Sequence, residues 1–394
     1  MLNARTRVLF VVIALCSMAF LSIFKAQGQD GGLPDSELIP GLRLIETDEG
    51  EVEWMNQEDI FNLIRQSHRR GVCGSFFDVT DYPELDLGSL PDVSVILDED
   101  SLFENTTEVE DLLGLINTEN VLETVSELSQ FHNRYYESDE GVAAAEWLRD
   151  RWTSYANGRS DIKVELFQHA FRQPSVIATI EGTELPDEYV IIGGHLDSIN
   201  QGWIFSKRKT APGADDDASG TATVTETFRV LAEGLFRPKR SVVFMAYAGE
   251  EVGLRGSQDI SRSFREAGRK VAGVIQFDMT LAPGKERKIT MIRDHVDEGL
   301  SNLVERLIDQ YVHIEWDRET CGYACSDHAS WTKAGYPSAM PFEAPMKEMN
   351  HDIHSERDTI NHPDGSPKLD FEFGVHFVQL GVAFAAELSN VKAL

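Results

Sequence analysis

Two adjacent glutamates, Glu250 and Glu251, close the apolar part of Val243–Ser257 (VFMAYAGEEVGLRGS), and a glycine-punctuated helix start follows them. A strand-to-helix junction displays side chains at the edge of an α/β sheet, where such folds place their sites. Two carboxylates there can divide the labour, one binding a metal and the other handling the proton of a metal-bound water. Taken alone, the pair is more simply read as acids favoured by a helix N-terminus. Three further stretches change that balance.

The first is IIGGHLDS, in which an apolar strand ends in His195 and Asp197 stands two residues on. A carboxylate bonded to the far nitrogen of a ligand histidine fixes its tautomer and raises its basicity. The second is PGADDDASG, with Asp215, Asp216 and Asp217 in succession before a helix. Three neighbouring carboxylates are costly together unless a cation neutralises them. An EF-hand calcium loop is longer and alternates its ligands, so it does not describe this turn. A solvated turn with an N-cap accounts for Asp217 and Ser219 but not for the whole set. The third comprises Asp278 in QFDMT and His354 in DIHS. Together with an aspartate of the second stretch and a glutamate of the pair, His195, Asp278 and His354 form a nitrogen-and-oxygen ligand set with too many carboxylates for a single structural zinc. They suit two zinc ions about 3.5–4 Å apart that share a bridging carboxylate and a water.

The elements that position these residues alternate from about Thr118 onward. Helical spacing runs through Val121–Tyr136 and Gly141–Tyr155, and strand-like runs cover Ile162–Phe167, Ser175–Ile180 and Glu188–Gly193. A helix striped with Val224, Phe228, Leu231 and Leu235 follows, then strands at Ser241–Ala248 and Val271–Phe277. Two further helices carry Leu300, Leu303, Leu307 and Tyr311, then Phe377, Leu380, Phe384 and Leu388. This order predicts an α/β three-layer sandwich, with a mixed, mostly parallel central sheet flanked by helices.

At 394 residues and 42% hydrophobic content the chain can bury one enzyme-sized core and still carry an appendage. A net charge of −30 argues against nucleic acid as a partner. Arg5 and Arg7, the apolar run Val8–Phe24 and the small residues before Gly28 read as a secretory signal over residues 1–28. A retained membrane anchor is the rival, since about 17 residues is the lower limit for a span. Export is the preferred reading, with no stable membrane partner after signal cleavage and a secreted or extracellular location, the periplasm being the other option. Residues 30–111 carry 22 Asp/Glu against 4 Lys/Arg. That composition fits an acidic linker or a propeptide over residues 29–105 that a processing protease removes, leaving a peptidase domain at 106–394. Cys73 stands alone there beside a basic cluster, and its role is open between a metal cap and a spare thiol. Cys321 and Cys325, four apart in CGYAC, are expected to form a disulfide in an oxidising compartment. A zinc pair would need a second matching pair of ligands.

GGHLDS, PGADDDASG, AYAGEEVGLRGS, QFDMT, CGYACSDHASW, AMPFE and IHSERDT, in this order, resemble bacterial leucyl aminopeptidase, a secreted di-zinc exopeptidase family. The likeness spans residues 118–389 and reaches weakly to His68–Gly74. It implies a zinc-exopeptidase fold holding two Zn2+ per chain. It assigns His195 and Glu251 to opposite metals, Asp216 as the bridge, Asp278 and His354 as the remaining ligands, Glu250 as general base and Asp197 as the partner of His195. It also implies a cis peptide after Asp216, and a side-chain pocket of Met279, Met340, Phe342, Ile353 and Tyr323 walled by the Cys321–Cys325 bridge. The segment 200–211, with Trp203 and a basic run, departs from the pattern.

The function expected is a secreted zinc aminopeptidase acting on peptides with a free N-terminus and preferring large apolar first residues such as leucine. Glu250 would activate the bridging water, and Tyr323 would help stabilise the oxyanion. Cobalt or manganese fits a similar ligand set. The rivals are a di-zinc carboxypeptidase or amide deacylase on the same fold, and a catalytically silent binding domain.

Overall fold

The computed structural model describes residues 41–47, 50–69, 76–82, 85–95, 97, 101–104, 106–200 and 209–391. The signal-peptide run, Cys73 and residues 201–208 of the departing loop lie outside them. The chain divides into a leading unit, Met1–Leu42, and a second unit, Arg43–Leu394. The account that follows concerns the second.

Its centre is a six-stranded sheet. The strands are β4 (Ile162–Phe167), β5 (Ser175–Ile180), β6 (Leu185–His195), β7 (Arg240–Tyr247), β8 (Lys270–Gln276) and β11 (Ser338–Ala339), in the order β11-β8-β6-β7-β5-β4. The β6–β7, β6–β8 and β8–β11 pairings are parallel, whereas β5 pairs antiparallel with both β4 and β7. The sheet is therefore mixed and mostly parallel, as expected.

Alternation along the strands sorts side chains into two layers, because successive residues of a strand face opposite sides. Val190 and Ile192 of β6 join Val242, Phe244 and Ala246 of β7 in the larger core. That face packs on α3 (Thr118–Leu128), α4 (Asp139–Ala156), α5 (Ala218–Glu233) and α9 (Phe371–Asn390). Ile191, Val243, Met245 and Tyr247 face the other way, against Ile260 and Phe264 of α6 (Arg255–Glu266) and Trp331 of α8 (His328–Lys333). Helix α9 is long and apolar enough to cross a membrane, yet it is a core helix here and mostly buried.

One departure from the sequence reading has a physical cause. The helix expected over Val121–Tyr136 ends at Leu128. Beyond it Arg134 turns inward, and its guanidinium donates to the carbonyls of Leu128 and Leu196, which a continuing helix would forbid. The acidic N-terminal segment is structured where it is described. It forms a small sheet of β1 (Leu42–Thr47), β2 (Val52–Asn56) and β3 (Phe76–Asp78) with helix α1 (Gln57–Arg69). Phe77 and Val79 pack with Leu254, Ala324 and Ala329, and Glu46 pairs with Lys333.

His328, which opens α8, gives the fold an acid-sensitive point. Its Nε2 lies 3.1 Å from the Asp294 carbonyl, and its buried Nδ1 has no partner. Burial pushes its pKa down to about 3; the bond to Asp294 opposes this and His295 adds to it. Between pH 6.5 and 3 the unfolded chain holds a proton that the folded chain refuses, so stability falls as pH drops through that window, by up to about 1.4 kcal/mol per unit. Melts from pH 7 to 4 should show this loss, and His328→Gln should flatten it. An unaltered slope in that variant would place the acid sensitivity elsewhere.

Candidate functional site

The three central parallel strands deliver their C-terminal ends to one place. His195 is the last residue of β6, Glu250 and Glu251 follow β7, and Asp278 stands two residues beyond β8. Asp216 comes from the turn before α5 and His354 from the loop before α9. Their close approach demands small neighbours: a Cβ on Gly220 would stand 2.2 Å from the Phe277 carbonyl. Met279 and His354, neither a glycine, hold positive φ of 59° and 53° beside the site. Such left-handed backbone costs energy and persists only where its surroundings impose it.

The five expected ligands meet as two half-sites. His195 Nε2 is 3.5 Å from Asp278 Oδ1, and His354 Nε2 is 2.7 Å from Glu251 Oε2. Asp216 joins them, with Oδ1 3.0 Å from His195 Nε2 and Oδ2 3.0 Å from His354 Nε2. Distance alone groups His195, Asp217 and Asp278 on one side and Asp216, Glu251 and His354 on the other. Hydrogen bonding decides between the aspartates. Asp217 Oδ1 accepts from the N–H groups of Gly220 (2.8 Å) and Met279 (3.0 Å), and Oδ2 accepts from that of His195 (2.9 Å). Asp217 is therefore engaged by the backbone and caps α5, while Asp216 faces the histidines. The peptide bond between them is cis.

The donor set fits a cation. Buried Glu251 Oε1 lacks a hydrogen-bond partner, and a buried carboxylate oxygen without one is costly. Burial pushes Glu251 up to about 7, with Asp216 adding. Burial also raises Glu250 well above the usual carboxylate range; His195 opposes this, and Asp278, Asp327 and Glu251 add to it. Burial acts on Asp216 too, but bonds to His195 and His354 outweigh it and hold Asp216 below its usual range. Desolvation works against a charged His195, yet Asp278, Glu250 and Asp217 together raise its pKa well above the ordinary value.

Asp197 does more than was read from the sequence. Its carboxylate accepts from the N–H groups of Glu250 (3.0 Å) and Glu251 (3.2 Å), so it fixes the turn that carries both glutamates. Toward His195 Nδ1 its nearer atom is the backbone carbonyl, at 3.2 Å, with the carboxylate at 3.7 Å. Met279, Met340, Phe342 and Tyr323 line a pocket that opens on Asp216, Glu250, Glu251, Asp278 and His354. Ile353 is buried in the same apolar cluster without lining the pocket, and Cys321 and Cys325 form the expected disulfide beside it.

Sequence reasoning missed several participants. Ile292 and Met346 also line the pocket, and Met346 was findable as an apolar residue in a loop between ligand motifs. Asp358 accepts from the backbone N–H groups of Asp215 and Asp216, and Asn350 donates to Asp215 Oδ2. Arg134, fully buried, donates to the carbonyls of Leu196, Pro212 and Gly213 and so ties the His195 strand end to the Asp216 turn.

Residues 175–371 match the model of peptidase family M28. Leucine aminopeptidase 1 of Fusarium vanettenii is 35% identical over 334 residues, covering 82% of each chain. The chain belongs to peptidase family M28. Two solved structures share its architecture: the LapA aminopeptidase of Legionella pneumophila, 30% identical, has a TM-score of 0.76 over 86% of this chain and 91% of that one. LapB of the same organism, 29% identical, has a TM-score of 0.72 over 88% and 95%. The motifs resemble bacterial enzymes, and the relative in sequence is fungal. The family is one of metallopeptidases, and the two buried half-sites are groups that could hold a metal ion.

The roles of the two aspartates are separable. Asp216→Asn should lose bound metal. Asp217→Asn should keep it but destabilise the fold by about 1–3 kcal/mol, the range for a buried group left badly paired. Elemental analysis beside thermal melts checks both; metal retained in Asp216→Asn and lost in Asp217→Asn would reverse the assignment.

Proposed function

We propose that this M28 peptidase is a di-zinc aminopeptidase that removes large apolar residues from the N-terminus of peptides. The observation that carries the reading is the pairing of half-sites through Asp216, with Glu250 beside them and an apolar pocket opening on both. His195, Asp278 and one oxygen of Asp216 would hold one zinc, and Glu251, His354 and the other oxygen the second. When bound, the pair supplies Lewis-acid polarisation of the scissile carbonyl and lowers the pKa of the attacking water.

The chain's own residues supply the rest. Glu250 Oε2 stands 4.0 Å from His195 Nε2, facing the centre, and takes the proton of the attacking water. Having taken that proton, the Glu250 carboxyl gives it to the leaving amine. Asp197 keeps Glu250 in place through its backbone N–H, so little reorganisation accompanies the transfer. The Tyr323 hydroxyl is the donor to the tetrahedral oxyanion. Met279, Ile292, Met340, Phe342 and Met346 receive the first side chain.

The pocket's charge favours an amine terminus. Among the described residues lining it there are four carboxylates and no Arg or Lys, so a peptide's C-terminal carboxylate has no cationic partner. That weighs against the carboxypeptidase reading. A silent binding domain would have no reason to keep Glu250 with all five ligands.

Secretion and processing complete the proposal. Residues 1–28 are read as a signal peptide, and the Cys321–Cys325 bridge suits the oxidising compartment that follows. Residues 29–105 are read as a propeptide removed by a processing protease. Its packing supports this: the Asp78 N–H donates to the Gly253 carbonyl (3.1 Å), on the turn just after Glu251, and Arg255 lies 3.4 Å from Asp81.

Three assays test the reading. Glu250→Gln should retain both metals while turnover drops about 10²–10⁴-fold; near-normal turnover would remove Glu250 from the chemistry. A leucyl anilide should be hydrolysed and its N-acetylated twin left intact, since hydrolysis of both would mean a broader amidase. Both substrates should be run before and after cleavage near residue 105, and full activity of the uncut chain would dispose of the propeptide as an inhibitor.

A further inference from the structure

Behind the catalytic turn, on the side away from the metal centre, lies a buried Ser–His–Asp chain. His169 Nδ1 is 2.8 Å from Asp259 Oδ2 of α6, and its Nε2 is 2.7 Å from Ser175 Oγ at the start of β5. Ser175 Oγ in turn accepts from the backbone N–H of Ala248 at 3.0 Å, two residues before Glu250. The His169 ring and Ser175 are fully buried, and Asp259 is one-third exposed. This is not a nucleophilic triad. Ser175 has no access to a substrate, and its oxygen is already occupied by Ala248.

An amide N–H only donates, so Ser175 Oγ accepts from Ala248, and the two His169 nitrogens link Ser175 to the Asp259 carboxylate, with donor and acceptor set by the ring's tautomer. Polarity runs without a break from the Asp259 carboxylate to the Ala248 N–H, and every buried polar atom along it is used.

Its neighbours make it a brace. The His169 ring stacks on Phe171 at 4.6 Å and 9°, and a Cβ on Gly249 would stand 3.3 Å from that ring. On the opposite side of the turn Gly256 must be glycine, because a Cβ there would lie 2.2 Å from the Ala248 carbonyl. Arg255 lies over Phe171 (4.8 Å) and Tyr136 (5.3 Å) on the same helix as Asp259. Asp197 grips the N–H groups of Glu250 and Glu251 from the metal side, while Ser175 grips that of Ala248 from behind.

We propose that His169, with Ser175 and Asp259, forms a rear brace that positions the Glu250 carboxylate for proton transfer. His169 is a positioning residue: it touches neither metal ligands nor substrate, and it acts through Ser175 and Ala248. The proposal rests on Glu250 being the general base. A catalytic group displaced by about 1 Å loses on the order of 10²-fold in rate, so the brace should be visible in kcat.

The experiment uses the metal-loaded enzyme with the leucyl anilide, measuring kcat, KM, bound metal and Tm together. Ser175→Ala and His169→Ala should lower kcat tenfold or more, with KM within about twofold and metal content unchanged. Asp259→Ala, at a partly exposed position where folding is safe, should lower kcat about threefold because water replaces the carboxylate. Ile180→Val, at the far end of β5, serves as a control that loses stability without loss of kcat. The brace is refuted if kcat in the three variants falls no further than in the control, or if it falls only in proportion to lost metal. An inactive Glu250→Gln beside unimpaired Ser175→Ala would remove the brace alone, whereas an active Glu250→Gln would remove the assignment beneath it.

Discussion

The structure depends on a crowd of buried carboxylates around Asp216. Asp197, Asp215, Asp217, Glu251, Asp278, Asp327, Glu343 and Asp358 are all buried near it. Burial, with neighbouring carboxylates adding and hydrogen bonds opposing, pushes Asp215 and Asp327 up to about 7 and Asp358 to about 6. Such a cluster is tolerable only where each charge is bonded, protonated or paired with a cation. Three solutions are used side by side. Asp217, Asp197 and Asp358 spend their oxygens on backbone N–H groups. Arg134 adds a buried positive charge while donating to backbone carbonyls. Asp216 and Glu251 instead turn carboxylate oxygens to the histidines, and Glu251 Oε1 is left without a hydrogen-bond partner.

That division explains why the site sits where it does. Parallel strands end together, so β6, β7 and β8 present His195, the two glutamates and Asp278 on one sheet edge without long loops. The residues that hold them come from elsewhere and act through the backbone. Asp217 binds the N–H groups of both His195 and Met279, linking the ends of β6 and β8 to the start of α5. The catalytic turn is thus held from the metal side by Asp197 and from behind by Ser175. Rigid positioning of this kind is what a general-base glutamate needs if it is to accept and return a proton with little reorganisation.

Much of this was legible in the sequence where the signal is local. Strands β4 and β5 were read to the residue, because each is a short β-branched and apolar-rich run with polar or breaking residues at both ends. The five candidate ligands, which the fold brings together, were read from short motifs: three stand just beyond or at the end of an apolar strand, Asp216 precedes a helix, and His354 lies in a loop. The first long helix was read too far because Phe131, Tyr135 and Tyr136 keep helical spacing after Arg134 has left the helix for its carbonyl partners. Arg134 and Asp358 themselves were invisible, since their partners lie 62 and 142 residues away and leave no local pattern. The short strands β9 (Ile289–Ile292), β10 (Trp316–Glu319) and β12 (Pro341–Phe342) form a separate three-stranded sheet. They are too brief for periodicity to show.

The central claim is that the two oxygens of Asp216 serve two metals. Anomalous diffraction at the zinc edge from zinc-loaded crystals tests it most directly. The account expects two peaks flanking the Asp216 carboxylate, one beside His195 and Asp278 and the other beside Glu251 and His354. A single peak, or a peak held by Asp217 with Asp216 touching neither, would contradict it.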